Sequence, residues 1–203
     1  MPGDSYGSLE GRVILVTGST SGMGLTTAQM LAENGAKVRP PHSPARRGRG
    51  RGRGRGRPSC QPILPPGLRS GVRCCQVAMC GRREAEGEAA AAAIRAAGGD
   101  ASFFPCDVSQ EADCVAVVAS TVERYGRLDG AFNNAGVSGG DWEATSAEDY
   151  NYLMDINVRG VFFCLREEVA QMRRQGSPGS IVNCGSADPH LELAFPQGRS
   201  RSS

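Results

Sequence analysis

Apolar and polar positions run along this chain in two alternating rhythms. Val13 to Thr17 is a short β-branched run stopped by glycine, the pattern of a buried parallel strand. Gly22 to Asn34 changes to a helical period, with Leu25, Ala28, Leu31 and Ala32 on one face and Asn34-Gly35 as its stop. Ala36-Lys37-Val38 begins a second strand, and there the rhythm breaks. It resumes at Val77 to Cys80 and passes into an Ala- and Glu-rich helix over 83–97, closed by Gly98-Gly99. A third strand is predicted over 101–105. A helix then follows a Ser109 cap and carries Val115, Val118 and Val122 as far as Tyr125. A fourth strand is expected over 128–132. A long helix over 147–174 opens with the capping-box pair Thr145 and Glu148, and Met154, Val158, Val161, Phe162 and Leu165 are its expected core face. A fifth strand covers 180–184. Strand and helix thus alternate, which predicts an α/β fold with a parallel sheet covered on both faces.

The break at 38–76 has its own character. Residues 39–77 hold ten arginines and no acid, and seven of the twelve prolines fall in the same stretch. Arg46 to Arg57 is almost pure Arg-Gly repeat, a composition that resists packing. Formal net charge is +2, but outside this segment thirteen basic residues face 21 acidic ones. The chain therefore reads as an acidic domain over 9–187, interrupted by a disordered basic insert, with an unstructured tail over 188–203. Joining Lys37 to Val77 restores an uninterrupted second strand. Valine codons start with GT and one glutamine codon ends in AG, so Val38 to Gln76 has the boundaries of a translated intron. We read it as a splice variant or faulty gene model of a longer protein. Arg-Gly repeats also bind phosphate backbones, but the insert has no aromatic residue for base stacking, so nucleic acid is not favoured as a partner.

Eight cysteines without C-x-x-C spacing and only two histidines argue against a metal site and for a reducing, cytoplasmic setting. No apolar run is long enough to span a bilayer, so no membrane partner is expected.

The chemistry starts at Thr17-Gly18-Ser19-Thr20-Ser21-Gly22-Met23-Gly24, between a strand and a helix. Glycines here allow a tight turn and bring the helix N-terminus, with its free N–H groups, close to a pyrophosphate. Further on stand Asp107-Val108, Asn133-Asn134-Ala135-Gly136, the Asp155 to Phe162 stretch containing Asn157, and Gly179 to Ser186. In this order and spacing the set resembles the short-chain dehydrogenase/reductase family over residues 9–38 and 77–187. The resemblance implies a Rossmann-type doubly wound parallel sheet of order 3-2-1-4-5, incomplete here after the fifth strand. It further implies oxidoreduction of an alcohol/carbonyl pair on a small-molecule substrate. Gly18, Ser19, Ser21, Gly22, Met23 and Gly24 would cradle the pyrophosphate. Asp107 and Val108 would meet adenine, and Asn133, Ala135 and Gly136 would line the ribose and nicotinamide side. Ser186 would bond the substrate oxygen and Asn157 would order a relay water. By analogy the 147–174 helix is a dimerisation surface.

Cofactor choice is read at the end of the second strand. An acid there favours NAD, whereas this chain has Arg82 and Arg83, which suit the 2′-phosphate of NADP. The family's proton donor is a tyrosine in Tyr-x-x-x-Lys. This chain has one lysine, Lys37, and no tyrosine after Tyr152. His190 in a polar tail is no substitute. The expectation is an inactive relative of an NADP-dependent enzyme, with a catalytically dead nucleotide-binding protein or a non-functional product as alternatives.

Overall fold

The structure, a computed structural model, describes residues 9–35, 75–138 and 145–185. In chain order the elements are β1 (Val13–Thr17), α1 (Gly22–Gly35), β2 (Gln76–Gly81), α2 (Glu84–Ala96), β3 (Asp100–Pro105), α3 (Glu111–Tyr125) and β4 (Gly130–Asn133). Helix α4 (Ala147–Met154) continues through a π-helical segment (Asp155–Gly160) into α5 (Val161–Gln175), and β5 (Ser180–Asn183) follows. The five strands pair in parallel in the order β3-β2-β1-β4-β5, with Leu15 of β1 opposite Ala78 and Ala131.

Burial explains why the central strands read as unbroken apolar runs: both faces of the sheet are covered. On one face Leu15, Cys80, Val117, Val118, Leu128 and Cys164 share a core with α3 and α5. On the other, Val16, Met79, Ala28, Ala91 and Ile94 pack beneath α1 and α2. Neighbouring residues of one strand, such as Leu15 and Val16, supply opposite cores, as the two-residue strand period requires.

Several local expectations shift. The second strand starts inside the expected insert: Cys75 is buried and Gln76 pairs with Val13. Gln76 also donates from Nε2 to Asp100 Oδ2 at 3.0 Å. Ser109 does not cap α3; its hydroxyl donates to Asp107 Oδ1 at 2.9 Å, and Gln110 takes the cap position. The capping box at α4 is Ser146 with Asp149, one residue along from the expected pair.

The largest correction concerns the long helix. Met154, Val158 and Phe162, expected in the core, are 37, 52 and 58 % exposed. The inward face is Ile156, Gly160, Cys164 and Glu168, at steps of four. Gly160 decides this orientation. A Cβ there would lie 2.8 Å from Val108 Cγ2, so only glycine lets the helix lie against that loop. The wider π-helical turn then keeps every fourth residue inward.

The insert 38–74, with its Arg-Gly repeat and the nucleic-acid reading, lies outside the described residues, as do Gly139, Gly140, Trp142, Ser186, His190 and the tail. Among the described residues no helix is long and apolar enough to cross a membrane. No group of three His, Cys, Asp or Glu among them is placed to hold a metal ion.

Candidate functional site

Chain reversal at the carboxyl end of the sheet creates the site. After β1 the chain turns at Gly18, whose φ is +65°, and enters α1 at Gly22, whose φ is +56°. Left-handed backbone of this kind strains any residue with a Cβ. Two close approaches reinforce the need for glycine. A Cβ on Gly18 would sit 2.8 Å from the Cα of Ala135, and one on Gly24 would collide with the Gly18 carbonyl oxygen. The glycine loop is thereby pressed against the segment that follows β4.

Thr17 and Asn134 pin those two segments together. Thr17 Oγ1 accepts from the backbone N–H groups of Asn134 and Ala135, both at 3.0 Å. Asn134 Nδ2 donates to the Thr17 carbonyl at 3.2 Å and the Gly18 carbonyl at 3.4 Å.

Between them opens a cleft of about 350 Å³, within the range of small-molecule sites. Gly18, Ser21, Met23, Arg82, Arg83, Asp107, Val108, Ala135 and Gly136, all singled out from the sequence, line it. Thr20, Gly81, Cys106, Asn134, Val137 and Ile156 line it too. Arg83 donates to Thr20 Oγ1 at 2.8 Å and to Ser21 Oγ at 2.7 Å, which anchors its guanidinium beside the glycine loop. Arg82 reaches the Tyr152 hydroxyl at 3.1 Å. Two cations and the N-terminus of α1, whose first N–H groups have no intrahelical acceptor, make this end of the cleft anion-seeking. Its other wall is held by Asp107, which accepts from the N–H and hydroxyl of Ser109 at 3.0 and 2.9 Å.

Other expected site residues stand elsewhere. Ser19 is fully buried, and its N–H and hydroxyl both donate to the Cys80 carbonyl, at 3.1 and 3.3 Å. It ties the loop to β2 and does not line the cleft. Gly22 and Gly24 shape the entry to α1 without lining the cleft. Asn133 turns away altogether: its Nδ2 donates to Glu168 Oε2 and to Asn183 Oδ1, both at 3.0 Å. Strand alternation is the signal that would have found Asn134 in its place, because consecutive residues at a strand end face opposite layers. Asn157 makes a two-bond clamp on Val137, accepting from its N–H at 2.9 Å and donating to its carbonyl at 2.8 Å. It shapes the loop that lines the cleft.

The comparisons with known proteins agree on one relationship. The family profile described as short chain dehydrogenase matches residues 69–194. A 2,5-dichloro-2,5-cyclohexadiene-1,4-diol dehydrogenase of Sphingobium indicum is 34% identical over 181 residues, covering 88% of this chain and 56% of that protein. Among solved structures, an actinorhodin polyketide ketoreductase with NADPH superposes with TM-score 0.63 at 28% identity, over 86% of this chain and 53% of the other. An NAD+-bound xylitol dehydrogenase gives TM-score 0.65 at 28% identity, over 88% and 54%. The chain thus spans about half the length of the curated relatives it matches.

Proposed function

Because the chain belongs to the short chain dehydrogenase family, we propose that its cleft receives the adenosine and pyrophosphate end of a nicotinamide cofactor, NADP(H) in preference to NAD(H). The reaction of the full-length protein is then oxidoreduction of an alcohol/carbonyl pair. The observation that carries the cofactor preference is Arg83, whose guanidinium is hydrogen-bonded to both Thr20 and Ser21 at the cleft mouth.

The residues present fit such a group. Glycine at 18 and 24 leaves no side chain between loop and ligand, and the first turn of α1 presents N–H groups to a pyrophosphate. At the end of β2, where a carboxylate would bond a ribose 2′-hydroxyl, the chain reads Gly81-Arg82-Arg83. Arginine offers charge and a planar donor fork to a 2′-phosphate. Val108 and Ile156 supply apolar walls for a base, and Asp107 lies at that end of the cleft. Ala135 and Gly136 border the ribose side.

When bound, the cofactor supplies the hydride; orientation and proton transfer fall to the protein. This chain's contribution to orientation is the pinned pair of loops and the Asn157 clamp. For proton transfer it holds one lysine, Lys37, and no tyrosine beyond Tyr152, so we read the chain as binding cofactor without turning over. An ordinary tyrosine, at pKa about 10, needs a neighbouring cation to serve as a neutral-pH acid–base, and no Tyr-x-x-x-Lys is present.

Titration of the purified chain with NADPH and with NADH, followed by nicotinamide fluorescence, tests both parts. Saturable binding that is tighter for NADPH, with no ketone-dependent loss of the reduced cofactor, is the expected result. Tighter binding of NADH would overturn the preference. Turnover above the buffer rate would overturn the reading of an inactive chain.

A further inference from the structure

Arg82 and Arg83 are neighbours at the end of β2, yet different parts of the fold hold their guanidinium groups. Arg83 donates to Thr20 and Ser21 of the glycine loop, at 2.8 and 2.7 Å. Arg82 donates from Nη1 to the hydroxyl oxygen of Tyr152, on α4, at 3.1 Å. Both arginines line the cleft. Arg82 and Tyr152 are 70 positions apart in sequence, so the fold and not the local chain makes this contact.

The helix places Tyr152 at that point. Tyr152, Ile156, Gly160, Cys164 and Glu168 form one row at steps of four, and Ile156 is a wall of the cleft. Tyr152 stands one turn before Ile156 and therefore meets the rim of the cleft, with 48 % of its surface exposed. Its mount is fixed on both sides. The Ser146–Asp149 capping box holds the first turn of α4, and Gly160, lying against Val108, holds the π-helical segment that follows. Tyr150, two positions earlier, lies off this row.

We propose that Tyr152 is a positioning residue for cofactor choice: its hydroxyl holds the Arg82 guanidinium at the cleft mouth, so that a 2′-phosphate meets two fixed arginines. The inference rests on the reading of the cleft as an NADP(H) site and names the residue that prepares it. An arginine side chain has many rotamers, and ordering it when a ligand arrives opposes binding. Tyr152 does that ordering beforehand, as Thr20 and Ser21 do for Arg83. The hydroxyl accepts from Nη1 alone, so the remaining N–H groups of the planar guanidinium are left to donate to a phosphate. Among the described residues Tyr152 is the hydrogen-bond partner of the Arg82 side chain, which makes the anchor a single atom. A cofactor without the 2′-phosphate brings no negative charge to this point and gains little from a fixed guanidinium.

Fluorescence titrations of the full chain with NADPH and with NADH test this in the wild type, Tyr152→Phe, Arg82→Ala and the double variant, each first shown to melt cooperatively. Phenylalanine keeps the ring and the net charge and removes the acceptor. The expected result for Tyr152→Phe is an NADPH Kd raised about three- to tenfold, the range of one hydrogen bond, with the NADH Kd within about twofold of wild type. Arg82→Ala weakens NADPH further. In its background Tyr152→Phe has no added effect, because the hydroxyl acts through that guanidinium. Tyr150→Phe, which loses a hydroxyl from the same helix, leaves both constants unchanged. Unchanged NADPH binding by Tyr152→Phe overturns the proposal. Tighter NADPH binding also overturns it, since the tyrosine would then hold Arg82 away from the phosphate. Equal weakening of NADPH and NADH, or a Tyr152→Phe loss that persists in the Arg82→Ala background, would assign Tyr152 to the shape of the helix and overturn its positioning role. A wild-type chain that favours NADH, or binds neither cofactor, overturns the cofactor reading and this inference with it. A wild-type preference for NADPH that survives Tyr152→Phe intact overturns this inference alone.

Discussion

Asn133 donates from Nδ2 to Glu168 Oε2 at 3.0 Å, joining the end of β4 to α5 through a carboxyl group that is fully buried. The outer atoms of the pair, Asn133 Oδ1 and Glu168 Oε1, find no hydrogen-bond partner among the described residues. Burial raises the Glu168 pKa to about 7, against the opposing effect of the Asn133 hydrogen bond. Its folded value thus lies above its unfolded one. The associated stability is full below the ordinary glutamate range and is lost as pH rises towards and through 7. From 4.5 to about 7 the change is on the order of 3 kcal/mol. Thermal melts between mildly acidic and mildly alkaline pH should therefore show Tm falling as pH rises. Glu168→Gln, which stays neutral, should flatten that profile. Parallel profiles for the two proteins would remove Glu168 as the cause.

Gly18→Ala should act on fold and site together. The substitution forces a Cβ into left-handed backbone at φ +65° and within 2.8 Å of Ala135 Cα. Strain of this kind costs about 1–3 kcal/mol. Because the neighbour is backbone, relief must come from separating the glycine loop from the segment after β4. We expect a lower Tm together with weaker NADPH binding, measured by melting and by fluorescence titration. Unchanged cofactor affinity would show that the loop does not need this close approach.

Sequence reading reached the alternation of strands and helices and the glycine loop because each rests on short-range signals: β-branched runs, helix stops, and glycine where the chain must reverse; the strand order came with the family resemblance. It missed where a third dimension decides. Nothing local says that the long helix turns Gly160 and Glu168 inward and leaves Phe162 out; the contact with Val108, distant in sequence, sets that. Asn133 and Asn134 are adjacent and alike, and only the strand's alternation separates a buried strut from a cleft residue. Arg83 was legible as a cation after a strand, but its anchoring to Thr20 and Ser21 was not, since those partners precede it by about sixty residues.

Arg83→Ala should separate the two cofactors. Charge-assisted hydrogen bonds of the kind a guanidinium makes to a phosphate contribute about 1.5–3 kcal/mol, or roughly ten- to a hundredfold in Kd. The loss should fall on NADPH, leaving NADH within about threefold, because only NADPH carries the phosphate. Equal weakening of both would assign Arg83 to the shape of the loop.

Asp129 organises the other end of the sheet. Its carboxylate, 2 % exposed, is met by Arg12 Nη1 at 2.9 Å and Arg127 Nη2 at 2.5 Å, and it accepts from the Val13 N–H at 3.0 Å. Burial alone would raise its pKa, but the Arg127, Val13 and Arg12 contacts outweigh that and lower it. The stability it brings is present above the ordinary aspartate range and is lost as pH falls through the depressed folded value. Both arginines are partly exposed, so water screens much of their attraction. Asp129→Ala should cost about 2 kcal/mol at neutral pH, chiefly through the unpaired Val13 N–H and the lost charged bonds. Urea melts should show that difference narrowing on acidification; a constant gap would point to packing alone.

Met154, Val158 and Phe162 form an outward apolar stripe at steps of four along α4, the π-helical segment and α5, opposite the buried Ile156, Gly160 and Cys164. Single exposed apolar residues are ordinary on protein surfaces, whereas a contiguous stripe signals something that covers it. By the family resemblance a second copy of this chain is the expected cover, and a stripe along one helix can be self-complementary about a two-fold axis. Light scattering of the wild-type chain should then give twice the chain mass. Phe162→Arg, which places a charge in the stripe's centre without touching the core, should weaken the association by at least about tenfold while leaving Tm within a few degrees. A wild-type chain that stays monomeric at high concentration, or a Phe162→Arg variant that dimerises unchanged, would exclude this surface.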